Sequence, residues 1–264
     1  MLGVGSSAGT PVIGCSCVTC ISSNPRNKRL RCSAAITTDA GATILIDTGP
    51  DLRTQALRVG LNRVDAVLIT HTHADHLHGI DDLRAFCQIG RKQIPLYGKA
   101  DAMNHIKDKF GYAIRAASDF WDLPVLSLNA ISDCFDILGV RVTPIPIKHG
   151  NGDILGFRIK NMAYLTDVSE IPVTSLPLLE NLDILMLDCL RTKPHFTHIN
   201  TEQSVAYACQ IAAKETYLIH MTHDLEYEAL SKLLPSNIYV AYDGLKLNFW
   251  PHYLYKIAKN IYNK

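Results

Sequence analysis

Short apolar runs rich in β-branched residues recur along the chain and predict strands at 43–47, 66–70, 94–97, 140–147, 154–159, 163–166, 184–187, 216–219 and 238–242. Stretches with helical spacing of apolar positions fall between them, at 80–86, 100–110, 202–213 and 227–234. Strands thus alternate with helices, but 140–147 and 154–159 read as hairpin neighbours. The pattern predicts an α/β chain of the α+β type, with two mixed β-sheets flanked by helices rather than one doubly wound sheet. No internal repeat, low-complexity tract or long charged block asks for a linker, so residues 1–264 are read as one domain.

Polar residues able to bind metals follow directly on the apolar runs. Asp47 closes TILID, His71 follows VLIT, His149 follows PIPIK, Asp167 follows AYLT and His220 follows TYLI. Strand ends are where a rigid scaffold aims side chains into a shared cleft. The densest signal is His71-Thr72-His73-Ala74-Asp75-His76, with four candidate ligands in six residues. Neutral imidazoles and carboxylates suit zinc, manganese or iron, and hydrolysis is the natural use of such a site. Asp47 reads either as a carboxylate that orients a ligand imidazole or as a plain turn residue. His78, His105 and His252 are read as surface residues or supports.

Composition narrows the function classes. Lys+Arg 26 against Asp+Glu 25 leaves a net charge of +1, without the basic excess of a protein that grips a phosphate backbone. Nucleic acid is therefore disfavoured as a partner. No apolar run reaches the ~18 residues that would cross a bilayer, and the start MLGVGSSAGT lacks the charged and apolar regions of a secretion signal. The chain is read as soluble and cytoplasmic. Three of the eight cysteines, Cys15, Cys17 and Cys20, crowd into one loop, a spacing that suits a metal better than paired bridges. Zinc wants a fourth ligand, and His223, three residues beyond His220, is the choice. The other five, Cys32, Cys87, Cys134, Cys189 and Cys209, are expected to be buried and inert.

The segment THTHADHLHG resembles the HxHxDH signature of the metallo-β-lactamase superfamily, and His149, Asp167 and His220 follow in the order that family shows. The resemblance implies an αββα sandwich with two divalent ions, Zn or Mn, at the sheet edge. It assigns His71, His73 and His149 to one ion, Asp75, His76 and His220 to the other, and Asp167 to both. Within the superfamily, GSSAGTPVIGCSCVTC followed by NPRNKRLRCS is similar to the start of the cyclic phosphodiesterases of carbon-phosphorus lyase pathways, and partly to pyrroloquinoline quinone biosynthesis B proteins. That similarity implies a structural zinc on Cys15, Cys17, Cys20 and His223. Only Met1 and Leu2 precede Gly3, where such relatives carry a full strand, so that strand is either trimmed or outside this sequence.

The same similarity gives His198, in Pro194-His195-Phe196-Thr197-His198, the role of general acid, and histidine titrates near the working pH. His198 and Asp75 are thus the candidate catalytic residues, while His195 and Arg31 are candidates for supporting the site or touching substrate. Arg26, Lys28, Arg29 and Arg31 form a basic run that would steer an anion or simply face solvent. The leading expectation is a dinuclear metal-dependent phosphodiesterase for small cyclic or nucleotide-like phosphodiesters, with hydroxide generated at the metals as nucleophile. A ribonuclease Z-like tRNA 3′-end nuclease and a non-catalytic carrier similar to the quinone-biosynthesis proteins remain as alternatives. The C-terminal FWPHYLYKIAKNIYNK is open to reading as a homodimer contact, a packed helix or a tail.

Overall fold

The computed structural model describes residues 1–116 and 124–249. Two sheets face each other. The first holds β1 (Ala34–Thr37), β2 (Thr43–Ile46), β3 (Ala66–Leu68), β4 (Ile94–Gly98) and β5 (Leu126–Ala130) in sequential order, with β1 antiparallel and the rest parallel. The second holds β6 (Phe135–Ile137), β7 (Val140–His149), β8 (Gly152–Ile159), β9 (Met162–Leu165), β10 (Ile184–Asp188), β11 (Glu215–Ile219) and β12 (Ile238–Val240). There β6 to β9 form an antiparallel meander and β9 to β12 run parallel. The described residues also form seven α-helices: α1 (Val18–Ile21), α2 (Leu52–Val59), α3 (Ala74–Leu77), α4 (Leu83–Gly90), α5 (Ala100–Lys109), α6 (Thr201–Ile211) and α7 (Tyr227–Ser231).

The two-residue period of the strands explains the layering. In β2, Ile44 and Ile46 join the core between the sheets, whereas Leu45 points to the opposite face. There Leu45 meets Val67, Ile69 and Leu96 from neighbouring strands and Leu52, Leu83, Phe86 and Ile106 from α2, α4 and α5. Both faces of β2 and β3 are buried, which is why TILI and AVL read as continuous apolar runs without polar alternation. The inter-sheet core adds Val142, Ile145, Phe157, Tyr164, Leu185 and Leu218.

Topology gathers the C-terminal ends of β2, β3, β7, β9, β10 and β11 along one rim, because β7 lies two antiparallel steps from β9 and so points the same way. The sheets touch close to that rim, where the Leu155 N–H donates to the Thr70 carbonyl at 3.2 Å. Among the described residues no helix is long and apolar enough to cross a membrane.

Several elements differ from the sequence expectation. Strands β1, β5 and β6 and helix α2 were not legible as such, and β7 runs on to include His149 as its last residue. Cys32, Cys87 and Cys189 are buried as expected, but Cys134 and Cys209 are exposed. Cys134 stands just before the edge strand β6, and Cys209 follows the buried Ala208 on α6. Residues 250–264, including His252, lie outside the described residues, as does any reading of that tail as a dimer contact.

Candidate metal centre

The histidine-rich loop leaves β3 and is clasped by the turn after β2. The Thr48 N–H donates to the His76 carbonyl at 2.7 Å and the Gly79 N–H to the Thr48 carbonyl at 2.8 Å. Only glycine fits at position 79, since a Cβ there would stand 1.9 Å from the Gly49 carbonyl oxygen. The loop then enters α3, which carries Asp75 and His76 on its single turn.

Two groups of side chains converge from different elements. His71, His73, His149 and Asp167 form one, and Asp75, His76, Asp167 and His220 the other; within each, one ligand-type atom per residue lies within 4.8 Å of the rest. Asp167 belongs to both. Its Oδ1 stands 3.9 Å from the Nε2 of His71 and of His149, and its Oδ2 lies 3.1 Å from His76 Nε2 and 3.4 Å from His220 Nε2. The Nε2 atoms of His71, His76 and His220 are buried and have no hydrogen-bond partner. Carboxylate oxygens stand beside these nitrogens without lying in line with an N–H, the arrangement expected of donors that share a cation.

Electrostatics point the same way. Burial, reinforced by the neighbouring imidazoles of His76, His73 and His149, holds His71 well below its ordinary range, so it stays in the neutral form that a metal takes. Burial also works against a charged Asp167, but His220 and His76 outweigh it and keep the carboxyl well below the usual carboxylate range. Around this core, other groups fix the rings. Asp47 is fully buried; its Oδ2 accepts from His76 Nδ1 at 2.7 Å and from Thr70 Oγ1 at 2.8 Å, and its Oδ1 from the Thr70 N–H at 2.9 Å. His149 Nδ1 donates to the Thr197 carbonyl at 2.9 Å. The rings of His76 and His149 thus engage Nδ1 away from the cluster and leave Nε2 for it.

His198 is buried at the same rim. Its Nδ1 meets Asp188 Oδ2 at 3.2 Å, its Nε2 lies 3.8 Å from Asp167 Oδ1, and its ring stacks on His220 with centroids 4.8 Å apart. Asp188 ends β10, is fully buried, and sets its other oxygen 3.3 Å from His220 Nδ1. This residue was missed by sequence reasoning. The signal was there, because ILMLD ends an apolar strand in a carboxylate as TILID does.

Other candidates sit further out. His195 is exposed, with its ring 5.4 Å from that of His198. Arg31 pairs with Asp51 at 2.9 Å and donates to the Ser7 carbonyl. Arg29 of the basic run is only 1% exposed, so it cannot steer an anion; it donates instead to the Thr222 and Leu225 carbonyls on either side of His223. His78 is exposed against Phe110, whereas His105 lines a cleft of about 510 Å³ together with His71, His73, His149 and Lys99. His105 therefore belongs to the wall of the site's own cleft.

The cysteine loop meets the same segment from the other side. His223 Nδ1 lies 3.2, 3.3 and 3.5 Å from the Sγ atoms of Cys15, Cys17 and Cys20. Hydrogen bonding, chiefly from the Cys20 N–H, brings the Cys17 thiol down to about 6, which favours the thiolate a metal takes. This Cys3His group could hold a tetrahedral structural metal.

Comparison with known proteins places these features in a family. Residues 42–221 match the family described as "Beta-lactamase superfamily domain". The chain is 38% identical over 251 residues to an octanoyltransferase of Porphyromonas gingivalis, covering 93% of this chain and 50% of that protein, so it spans about half the length of that relative. A crystal structure of a new diphosphatase from the PhnP family superimposes with a TM-score of 0.88 at 42% identity, covering 94% of this chain and 95% of that one. Zn(2+)-bound PqqB from Methylobacterium extorquens shares the fold, with a TM-score of 0.78 at 19% identity over 94% of this chain and 98% of that one. The chain, with its buried His/Asp cluster at the rim of two facing sheets, belongs to the metallo-β-lactamase superfamily.

Proposed function

We propose that this protein is a metal-dependent hydrolase of small phosphodiester-type substrates, with His71, His73 and His149 holding one ion, Asp75, His76 and His220 the other, and Asp167 shared between them. The observation that carries the reading is His198, a buried imidazole fixed by Asp188 and facing the shared carboxylate. A pair of divalent ions supplies Lewis acidity and a water deprotonated near neutral pH. The chain's own residues do the rest. Asp75 orients the attacking water, Asp188 holds the His198 ring and offsets its charge when protonated, and His198 delivers a proton to the departing oxygen. His105 and Lys99 line a cleft beside the cluster that would take part of the substrate.

The alternatives fit less well. A nucleic-acid interface needs a basic surface, but Arg29 is buried and Arg31 is paired with Asp51. A carrier without turnover has no need of seven convergent donors and an imidazole poised beside them. Octanoyl transfer names a relative about twice as long, and the donors that converge at the rim are imidazoles and carboxylates, which favours water as the acceptor.

The diphosphatase relative sharpens the choice of leaving group. A phosphate departs readily as the anion, whereas the alkoxide of a phosphodiester needs a proton. Protein stripped of metal and reloaded with zinc or manganese is therefore tested on a ribose cyclic phosphate and on a nucleoside diphosphate sugar. With an alkoxide leaving group, His198→Ala is expected to lower kcat by about 10²-fold or more. Activity confined to the diphosphate and insensitive to His198→Ala would move the assignment to a diphosphatase. A fully metallated wild type inert on both would sink the phosphoryl-transfer reading.

A further inference from the structure

The loop that carries His198 also presents an aromatic ring to solvent. Phe196 is 72% exposed, although leaving most of a phenyl ring in water forgoes the transfer free energy that burial would gain. The loop itself is not loose. Its ends are tied by the Leu190 N–H to the Ile199 carbonyl at 3.2 Å, the Ile199 N–H to the Val168 carbonyl at 2.6 Å and the Thr201 N–H to the Arg191 carbonyl at 3.1 Å. Arg191 donates back to the carbonyls of Lys193 and Pro194, and the Thr197 carbonyl accepts a hydrogen bond from His149 Nδ1. A segment held at this many points fixes where Phe196 stands.

Its position is set by Gly150, the residue after the strand-end His149. Gly150 has φ +58, and a Cβ there would lie 2.8 Å from Thr197 Cγ2 and 3.2 Å from Phe196 Cε1. The phenyl ring thus rests one edge on bare backbone beside a metal-centre histidine and leaves the rest of its surface open. Among the other exposed large apolar side chains of the described residues, Ile13, Val173 and Leu233 are aliphatic, and the aromatic Tyr112 and Tyr239 are less exposed, at 47% and 40%, and stand on other segments. Phe196 combines a flat π surface, a pinned backbone and adjacency to His195, Thr197 and His198.

A rigid exposed aromatic beside a phosphoryl site suits stacking on a planar ring of the substrate, an interaction that needs no matched hydrogen bonds. We propose that Phe196 is a specificity-determining residue that stacks on a nucleobase-type ring, so that the preferred substrate is a nucleotide-like phosphodiester rather than a bare sugar or polyol phosphate. The inference rests on the phosphodiesterase reading and adds the substrate class to it.

The experiment compares adenosine 2′,3′-cyclic phosphate with glycerol 1,2-cyclic phosphate as substrates of metal-reloaded wild type, Phe196→Ala and Phe196→Trp. The ratio of kcat/KM for the adenosine compound to that for the glycerol compound is expected to fall about tenfold in Phe196→Ala, through KM, and to return in Phe196→Trp. A ratio within about twofold of wild type in Phe196→Ala overturns the proposal, since a loss shared by both substrates would be structural. If wild type turns over neither compound, the underlying reading fails on its own account. Calorimetric Kd values for adenosine monophosphate and ribose 5-phosphate then decide the stacking: about tenfold weaker binding of the nucleotide alone to Phe196→Ala upholds it, and equal Kd values overturn it.

Discussion

Asp47 adopts φ +61, a left-handed conformation that costs a residue with a side chain roughly 1 kcal/mol or more. Asp167 and His220 do the same at φ +58 each. All three stand just past strand ends, and the sharp turn redirects a side chain that would otherwise follow the pleat into the rim. Asp47 offsets part of its strain by three short hydrogen bonds from His76 and Thr70, and although burial pushes its carboxyl up, the His76 imidazole opposes that rise. Removing this support should loosen the metal centre without emptying it. Asp47→Ala is expected to weaken the affinity for the ion on His76 by about 10–100-fold, read by competition with a chromophoric chelator. An affinity equal to wild type would show that α3 alone orients the ring. At this scale the sequence was informative wherever ligand-type residues cluster or end an apolar run. For Asp188 it offered only the strand-end carboxylate of ILMLD and not the two rings, 10 residues or more away, that this carboxylate serves, and it was silent on His105, whose place in the cleft depends on how α5 packs.

Among the elements, those buried on both faces were legible as apolar runs, whereas β1, β5 and β6 were not. The reason is physical: AAIT, LSLNA and FDI are short edge or near-edge pieces whose outer faces meet water, so their polar positions hide the period. Helix α2 does carry signals, Asp51 before it and Gly60 in the left-handed conformation after it, but one polar face masks the apolar one. Where elements are joined by charge, stability gains a pH dependence. Asp65 precedes β3, accepts from the Thr43 N–H that opens β2, and pairs with Arg63 and with Lys92 beyond α4. Burial works against its charge, yet Arg63, Lys92 and the Thr43 N–H outweigh it and bring the carboxyl down to about 2. A depressed folded value means that the stabilisation is complete above the ordinary aspartate range near ~4 and is lost as the pH falls from there through about 2. Asp65→Asn should therefore unfold at lower urea near neutral pH and show a flatter decline between about pH 4 and 2 than wild type. Parallel urea midpoints for the two proteins across that range would refute this role.

In the whole molecule, the N-terminal loop and the segment after β11 form one unit that joins two metal-type sites. The Met221 N–H donates to the Val4 carbonyl, the Ser6 N–H to the Met221 carbonyl, and Arg29 spans the carbonyls on either side of His223. His220 and His223, three residues apart, thus serve the rim cluster and the cysteine group from a single backbone stretch. This unit brings together three thiols and the carboxylates and imidazoles of the rim. Ions that bind only the folded chain stabilise it by mass action, about 4 kcal/mol for a site at ~1,000 times its Kd, and for a protein of this size that corresponds to a rise in Tm of about 10 °C. Titrating zinc into chelator-treated protein should therefore raise Tm by an amount of that order and end at about three ions per chain, two of them readily exchanged. Cys17→Ser should stop at about two, with the rim ions retained. A Tm that stays within about 2 °C of the metal-free protein, or a stoichiometry of one that disappears in Cys17→Ser, would mean that the rim does not hold ions and that the hydrolase reading of this chain is wrong.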